Sequence, residues 1–174
     1  MNRRDYLVGL LGTVGIGAGV YRLATSGEGV AAIDPQTVSV VGERGTESTR
    51  VPAQNGLTVV DFFSTFCAGC DEQITALAPV QRDASDLSVI SVTAQTVGDG
   101  FSLDDLRDWW DQHGGPWPVA VDDGSLAAAA DVKRIPTVVI VDAEGRVHWT
   151  KSDASTAAIR EGVATARAAI RERE

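Results

Sequence analysis

The sequence predicts an α/β domain in which helices flank a central mixed sheet that ends in an antiparallel hairpin and a C-terminal helix. Two observations lead to this prediction. Short apolar runs rich in β-branched residues alternate with segments of helical periodicity in the order β-α-β-α-β-α-β-β-α, which is typical of a largely parallel sheet covered by helices. In addition, 44% of the 174 residues are hydrophobic, enough to bury the core of one ordinary domain.

The first two predicted strands of the folded domain lie on either side of a helix. Residues 57–63 form an apolar, β-branched run that is interrupted only by Asp61, which indicates a strand buried on both faces. After Cys70, apolar residues recur at helical spacing, and Pro79 is expected to bend or end this helix. Residues 87–94 then form a second buried strand.

A second helix is predicted to begin after Ser102, whose side chain can cap it. Asp105 stands three residues later, as in a capping box, and Gly114 ends the helix. A short strand at residues 119–121 and an Ala-rich helix near residues 125–130 follow. The tryptophans of this region are interpreted as packing residues; they are Trp109, Trp110 and Trp117.

The last part of the chain is predicted to form a hairpin and a helix. Residues 137–141 are the third strong strand, and a turn at residues 142–145 leads into a strand at residues 146–150. Residues 155–173 are helical by composition. The apolar stripe of this helix consists of Ile159, Val163, Ala166 and Ile170.

Composition divides the chain into three parts. Residues 1–32 are expected to be an export signal or membrane anchor, because a basic start is followed by an apolar run. Residues 33–56 are rich in Gly, Ser, Thr, Glu and Asp and are expected to be a linker with an outer strand at residues 37–41. Residues 57–174 are expected to form the folded domain.

The N-terminal segment has the features of an export signal. Arg3 and Arg4 precede an apolar, Gly-rich run at residues 7–20, which is shorter than the roughly 20 residues of a spanning helix. The arginine pair, with Tyr6 and Leu7 behind it, resembles a twin-arginine signal, and a general secretory signal or a short uncleaved anchor are the alternatives. In each case the domain is expected outside the cytoplasm, secreted or anchored to the membrane through this segment.

The composition is strongly acidic. The chain has 24 Asp and Glu against 15 Lys and Arg, for a net charge of -9, and a surface of this sign is expected to repel nucleic acid and anionic lipid headgroups. The acids are mainly Asp and the bases nearly all Arg, a bias that resembles haloarchaeal proteins. We therefore expect no nucleic-acid partner.

The two cysteines, Cys67 and Cys70, are separated by only two residues. A disulfide that closes so short a loop removes little entropy from the unfolded chain, so stability does not explain the pair. The position between a buried strand and a helix predicts that Cys67 lies at the helix N terminus, where the helix dipole stabilises a thiolate. Cys67 is therefore the predicted nucleophile in thiol-disulfide exchange, and Cys70, one turn further on, can resolve the mixed disulfide.

The same cysteine spacing also occurs in half of a zinc site. His113 and His148 are the only histidines, so a Cys2His2 site is arithmetically possible, although the two histidines lack the paired spacing of such sites. Asp71 stands where a covalent haem motif needs histidine, which excludes haem attachment.

The residues around the cysteines resemble thioredoxins. Residues 59–70 are similar to the strand and active-site segment of that family, and residues 134–140 are similar to its cis-proline loop and following strand. The resemblance covers residues 37–173, and the tryptophan-containing helix looks like that of TlpA-like, membrane-tethered members. A thioredoxin-like fold is therefore expected.

The resemblance implies roles for two further residues. Pro136 is expected to follow a cis peptide bond and to face Cys67, where adjacent backbone pairs with an extended substrate. Asp61 matches the buried acid that assists proton transfer to and from the resolving thiol, and a carboxyl in an apolar strand is expected to have a raised pKa. The sequence departs from the family at Phe66, in place of Trp, and at Gly69, in place of Pro, so we expect a looser helix start and a shifted redox potential.

The resemblance implies a thiol-disulfide oxidoreductase that acts on protein thiols outside the cytoplasm. The Cys67/Cys70 disulfide is its expected redox group, with no dissociable cofactor and no metal, and we expect a monomer that takes electrons from a membrane donor. Reduction of client disulfides is favoured slightly over oxidation. The alternatives are a disulfide-forming oxidase and a metallochaperone or non-redox binding module, although copper-delivery relatives use C-x-x-x-C and peroxiredoxins have Thr where Ser64 stands.

Overall fold

The computed structural model describes residues 32–42, 45–98 and 100–173. Within these residues the chain forms seven strands and four helices. In chain order they are β1 (Gln36–Gly42), β2 (Gly45–Val51), β3 (Leu57–Phe62), α1 (Cys70–Asp83), β4 (Leu87–Thr93), α2 (Leu103–His113), β5 (Val119–Val121), α3 (Ser125–Ala129), β6 (Thr137–Asp142), β7 (Val147–Ser152) and α4 (Thr156–Arg171). From β3 onward this is the order predicted from the sequence.

The seven strands join one sheet with the order β2-β1-β5-β4-β3-β6-β7. β3, β4 and β5 are parallel, whereas β6 and β7 on one side and β1 and β2 on the other are added through antiparallel pairs. The predicted mixed sheet flanked by helices is confirmed. The expectation that the sheet is largely parallel is wrong, because β6 runs antiparallel to β3 and the N-terminal hairpin runs antiparallel to β5.

Two apolar clusters pack against the sheet, and β3 contributes alternately to both. All six residues of β3 are buried, since β4 and β6 flank it and helices cover it. Leu57 and Val59 belong to the cluster formed with α1, α2 and α4, whereas Val60 and Phe62 belong to the cluster formed with α3. Because side chains alternate along a strand, Asp61 lies on the same face as Leu57 and Val59, under α1.

The N-terminal part of the described chain forms a hairpin at the border of the sheet. β1 confirms the outer strand expected at residues 37–41. β2 has no counterpart among the predicted elements, because its residues are mostly polar and exposed and only Val51 is fully buried. Part of the segment predicted as a linker is therefore an edge strand.

The predicted export signal lies outside the described residues, apart from its last position. Among the helices that the structure describes, none is both long enough and apolar enough to cross a membrane.

The first helix is longer than the sequence suggests. α1 continues through Pro79 to Asp83. Of the two expectations for Pro79, that it bends or ends the helix, the ending is therefore wrong. Leu77 and Val80, on either side of the proline, are buried in the core. Their packing holds the helix together at the point where proline cannot donate a backbone hydrogen bond.

α2 begins with the predicted capping box. The Ser102 hydroxyl accepts a hydrogen bond from the Asp105 N–H at 3.1 Å, and the Asp105 carboxylate accepts one from the Ser102 N–H at 2.8 Å. Gly114 follows the helix, as predicted. The cap therefore fixes the start of the helix that carries Trp109 and His113.

Replacing Ser102 with alanine removes one half of the capping box. We expect the free energy of unfolding to fall by about 1 kcal/mol, because the Asp105 N–H of the first turn loses its fixed acceptor. Urea denaturation of the oxidised protein measures this change. Ser102→Thr keeps the hydroxyl and is the matched control; equal stability of the alanine variant and the wild-type protein would contradict the assigned contribution of the cap.

Candidate active site

A disulfide bond joins Cys67 and Cys70, whose Cα atoms are 5.6 Å apart. The pair lies between the end of β3 and the start of α1. Cys67 is half-buried, whereas Cys70 is fully buried in the apolar cluster under α1. A partner molecule can therefore reach the sulfur of Cys67 but not that of Cys70.

The helix begins at Cys70, which corrects the sequence-based placement of Cys67 at the helix N terminus. Cys67 lies in a turn before the helix, where its N–H donates to the Ser64 carbonyl at 3.1 Å and its carbonyl accepts from the Cys70 N–H at 3.4 Å. Gly69 separates the turn from the helix. Its φ of 95° is a left-handed conformation that proline, the residue usual in the family, cannot adopt.

The loop that leads to Cys67 is tied to the neighbouring strand by two reciprocal hydrogen bonds. The Thr65 N–H donates to Gln95 Oε1 at 2.7 Å, and Gln95 Nε2 donates to Thr65 Oγ1 at 2.9 Å. Gln95 follows β4, and the two residues are 30 positions apart in the sequence. No sequence pattern indicates such a pairing, so sequence analysis did not identify Gln95.

The Ile135–Pro136 peptide bond is cis, as the resemblance to thioredoxins implies. Pro136 is buried and precedes β6, whose first residue Thr137 pairs with Phe62 at the end of β3. Pro136 therefore lies at the sheet edge from which the loop to Cys67 departs.

A chain of hydrogen bonds connects the Pro136 loop with α1. The Pro136 carbonyl accepts a hydrogen bond from the Asp153 N–H at 3.3 Å. The next residue, Ala154, accepts from Gln73 Nε2 at 2.9 Å and donates to Gln73 Oε1 at 2.7 Å. Gln73 is buried and lies one turn after Cys70, so its side chain joins the proline loop to the helix that holds Cys70.

Exposed apolar side chains lie on loops at the same edge of the sheet as the disulfide. Among the described residues, the large apolar side chains that are exposed are Phe66 at 80%, Ile135 at 42% and Val97 at 39%. Each lies on a loop at the edge where β3 and β4 end and β6 begins. This edge of the sheet thus combines the half-exposed Cys67 with apolar contact surface.

A cleft of about 320 Å³ opens beside Cys67. Residues 65–68 line one side, and Asp71, Trp109 and His113 line the other. His113 Nδ1 lies 3.0 Å from the Trp109 carbonyl, and because a carbonyl only accepts, Nδ1 is the donor and Nε2 is left free. The tryptophan interpreted from sequence as a packing residue therefore also forms a wall of the site.

Asp61 is fully buried and has one side-chain partner. Its Oδ2 accepts a hydrogen bond from Ser91 Oγ at 2.7 Å, and its Oδ1 has no hydrogen-bond partner. Burial raises the pKa of this carboxyl to about 7, against the opposing effect of the Ser91 hydrogen bond. Asp61 shares its sheet face with Val59, which belongs to the same cluster as Cys70.

The two histidines are not brought together at the cysteines. His148 Nε2 lies 2.8 Å from Asp142 Oδ2, at the opposite end of β6 from Pro136. At about 3.3 Å per strand residue, this end is on the order of 15 Å away. The Cys2His2 arrangement considered from the sequence is therefore not formed. Within the described residues, no group of three or more His, Cys, Asp or Glu side chains is placed to bind a metal ion.

Comparison with protein families gives a match to the Redoxin model over residues 36–170. The chain belongs to the Redoxin family. No curated protein sequence matches this Redoxin-family chain significantly.

Several solved structures share the fold of this chain. StoA from Bacillus subtilis has a TM-score of 0.61 at 16% identity, covering 76% of this chain and 98% of its own. The exposed lipoprotein thioredoxin Etrx1 from Streptococcus pneumoniae has a TM-score of 0.61 at 21% identity, covering 74% and 98%. A secreted Mycobacterium tuberculosis disulfide oxidoreductase, homologous to E. coli DsbE, has a TM-score of 0.60 at 15% identity, covering 74% and 94%. At these identities the comparisons show the fold, which is thioredoxin-like.

The raised pKa of Asp61 predicts how stability varies with pH. A carboxyl whose pKa rises from 3.8 to about 7 on folding favours the folded state at low pH, and this contribution is lost as the pH rises from about 4 through 7. This difference in pKa between the unfolded and the folded state corresponds to about 4 kcal/mol of the free energy of unfolding. We expect Asp61→Asn to unfold at higher urea concentration than the wild-type protein at pH 8, with the difference largely absent at pH 4.

Asp142→Asn is the matched control for this experiment. Asp142 is also buried, and burial by itself would raise its pKa. The pKa is nevertheless held below its usual range, because His148 and the Arg146 N–H donate hydrogen bonds to the carboxylate and positive charges lie nearby. Its contribution to stability is therefore present above pH 4 and lost as the pH falls, so the asparagine variant is destabilised at pH 8. Equal pH dependence of wild type and Asp61→Asn would contradict the raised pKa.

Proposed function

We propose that this protein is a thiol-disulfide oxidoreductase that exchanges disulfides with protein thiols outside the cytoplasm. The observation that supports this most directly is the asymmetry of its disulfide, in which Cys67 is half-exposed and Cys70 is fully buried. Such a pair can form a mixed disulfide through one sulfur only, and the second sulfur is already within bonding distance to resolve it.

In the proposed reaction the reduced pair transfers two electrons to a client disulfide. The Cys67 thiolate attacks one client sulfur, which forms a mixed disulfide and releases the other client sulfur as a thiolate that takes up a proton. Cys70 then loses its proton to the Asp61 carboxylate and attacks the Cys67 sulfur. The Cys67–Cys70 disulfide forms, and the second client thiolate leaves.

Asp61 is suited to this role by its position and its pKa. A carboxyl with a pKa of about 7 exists in both protonation states near neutral pH, so it can accept the proton of the resolving thiol and return it in the reverse reaction. The apolar surroundings that raise the pKa also contain Cys70. No dissociable cofactor takes part in this scheme.

The client chain is proposed to lie along the edge formed by the Pro136 loop. Phe66, beside Cys67, and Ile135, next to Pro136, present exposed apolar side chains at this edge, and we propose that an extended client segment contacts them as its sulfur reaches Cys67. The acidic surface of the protein, with its net charge of -9, adds a preference for clients that are not themselves strongly acidic.

The environment of Cys67 favours the reductase direction. Cys67 stands three residues before the first residue of α1, its N–H is bonded to the Ser64 carbonyl, and the first turn contains the acids Asp71 and Glu72. Each of these features weakens stabilisation of a thiolate at Cys67. Since a strong oxidant owes its potential to a stabilised reduced form, a less stabilised thiolate favours donation of electrons.

The proposed location and electron supply follow from the N terminus and from the structural relatives. The arginine pair at Arg3 and Arg4 supports export, and the names of two relatives describe an exposed lipoprotein and a secreted oxidoreductase. An exported reductase is continually oxidised by its clients, so we propose a TlpA-like monomer that is reduced again by a membrane electron donor. The haloarchaeal character of the composition stays a prediction.

We expect Cys70→Ser to trap client proteins as mixed disulfides through Cys67, because resolution is blocked while attack is not. Non-reducing electrophoresis of the exported protein detects these adducts. Cys67→Ser is the matched control and forms none. Adducts on both variants, or on neither, would contradict the assignment of attacking and resolving sulfurs.

Two further measurements separate the alternatives. A reduction potential close to the value of thioredoxin, about -270 mV, supports the reductase, and one close to that of DsbA, about -120 mV, supports the oxidase. Stoichiometric copper or zinc in the reduced protein, together with absent reduction of a test disulfide, would replace the redox function with a metal-binding role.

A further inference from the structure

Ser91 and Trp117 form a buried hydrogen-bonded chain that ends on the carboxyl of Asp61. Trp117 Nε1 donates to Ser91 Oγ at 3.0 Å, and Ser91 Oγ donates to Asp61 Oδ2 at 2.7 Å. All three residues are buried, with Ser91 and Asp61 at 0% exposure and Trp117 at 6%. Ser91 stands opposite Asp61 in the parallel pairing of β3 with β4, so the sheet itself fixes the contact.

The chemistry of the three groups fixes the direction of the hydrogen bonds. An indole N–H can only donate, so the Ser91 oxygen is the acceptor in its contact with Trp117. The single hydroxyl hydrogen of Ser91 is then directed to Asp61 Oδ2. If Oδ2 carried the proton of a neutral Asp61, both the acid and the indole would donate to Ser91, and the serine hydrogen would have no acceptor in a buried site.

We infer that Ser91 and Trp117 are positioning residues that hold Asp61 Oδ2 as a hydrogen-bond acceptor, so that Oδ1 is the atom that takes and releases the exchangeable proton. This inference rests on the proposed function and names the atoms of its proton-transfer step. Oδ1 is buried and lacks a hydrogen-bond partner, which leaves it free to receive a proton.

The groups on the sheet face of Asp61 indicate which one exchanges that proton with Oδ1. Ser91 faces Asp61 from β4 and Val138 faces it from β6. Cys70 from α1 and Trp117 from the loop before β5 belong to the apolar cluster on the same sheet face. Of these, the Cys70 thiol of the reduced protein is the titratable group. The other buried carboxyls among the described residues lie at the ends of strands; they are Asp122 and Asp142.

The resolving step can now be written with each proton assigned. The Cys70 thiol transfers its proton to Asp61 Oδ1, and the Cys70 thiolate attacks the Cys67 sulfur of the mixed disulfide. The bond between Cys67 and the client sulfur breaks, and the client thiolate leaves with the electron pair. Throughout this step the Ser91 hydroxyl donates its hydrogen bond to Oδ2. This hydrogen bond stabilises the ionised carboxylate, and Ser91 itself neither gains nor loses a proton.

The test is to measure the titration of Asp61 in the reduced protein without any client. Infrared difference spectra across pH report the C=O stretch of the neutral acid, and Asp61→Asn identifies the band. We expect Ser91→Ala to move this band to higher wavenumber, because the C=O at Oδ2 loses its donor. The midpoint is expected to rise by about one to two pH units, since a hydrogen bond to the charged form is lost.

Three variants accompany Ser91→Ala. Ser91→Thr keeps the hydroxyl in a strand and is expected to retain the wild-type band and midpoint. Trp117→Phe removes only the N–H and is expected to raise the midpoint by less than Ser91→Ala. Trp110→Phe is its matched control, because the Trp110 ring packs edge-on against Trp117 at 6.2 Å without joining the chain, and no shift is expected. If Ser91→Ala does not fold, the inference is tested by whether Trp117→Phe raises the Asp61 midpoint while Ser91→Thr leaves it unchanged.

The same variants are then followed in single-turnover exchange with a test disulfide. The pH at which resolution reaches half its maximal rate is expected to rise with the Asp61 midpoint in Ser91→Ala, and to stay at the wild-type value in Ser91→Thr. An unchanged band and midpoint in both Ser91→Ala and Trp117→Phe would overturn the inference while leaving exchange itself intact. Absence of exchange in the wild-type protein would instead overturn the proposed function, and with it the catalytic role assigned to the chain.

Discussion

Burial of a carboxyl near the C-terminal end of β3 is the constraint on which the candidate site depends. Asp61 lies between β4 and β6 on a strand with no exposed residue, so water cannot solvate its charge. Its only side-chain partner is a neutral hydroxyl, which offsets part of the desolvation of the ionised form. The fold therefore keeps this acid neutral at low pH and ready to ionise near pH 7, which is the property that the proposed proton transfer requires.

The other contacts of the site hold the loop that contains Cys67 in a defined position. The loop from Ser64 to Gly69 has no strand or helix of its own, yet Gln95 ties its start to β4 and the helix beginning at Cys70 anchors its end. Gln73 joins the same helix to Ala154, and the preceding residue Asp153 donates to the Pro136 carbonyl. Because all these anchors lie behind the disulfide, the exposed side of Cys67 stays free for a partner.

The sequence predicted those features that depend on local patterns. The β-branched runs of β3 and β6, the capping box at Ser102 and the cysteine pair were all identifiable, since neighbouring residues determine each of them. Features that depend on tertiary contacts or on backbone conformation were not. The polar edge strand β2 shows no burial pattern, and the start of α1 at Cys70 depends on a left-handed Gly69.

Two buried carboxyls of the β3–β6 pairing show why burial alone does not identify a candidate functional acid. Asp61 and Asp142 lie at opposite ends of the β3–β6 pairing and are almost equally inaccessible. Asp142 accepts hydrogen bonds from His148, from Arg173 and from backbone N–H groups, so it is held ionised and ties the hairpin to the C-terminal helix. Asp61 has one donor and one oxygen without a partner. The two acids therefore differ in pairing and not in burial, and in the proposed exchange the unpaired oxygen of Asp61 is the one that a proton occupies.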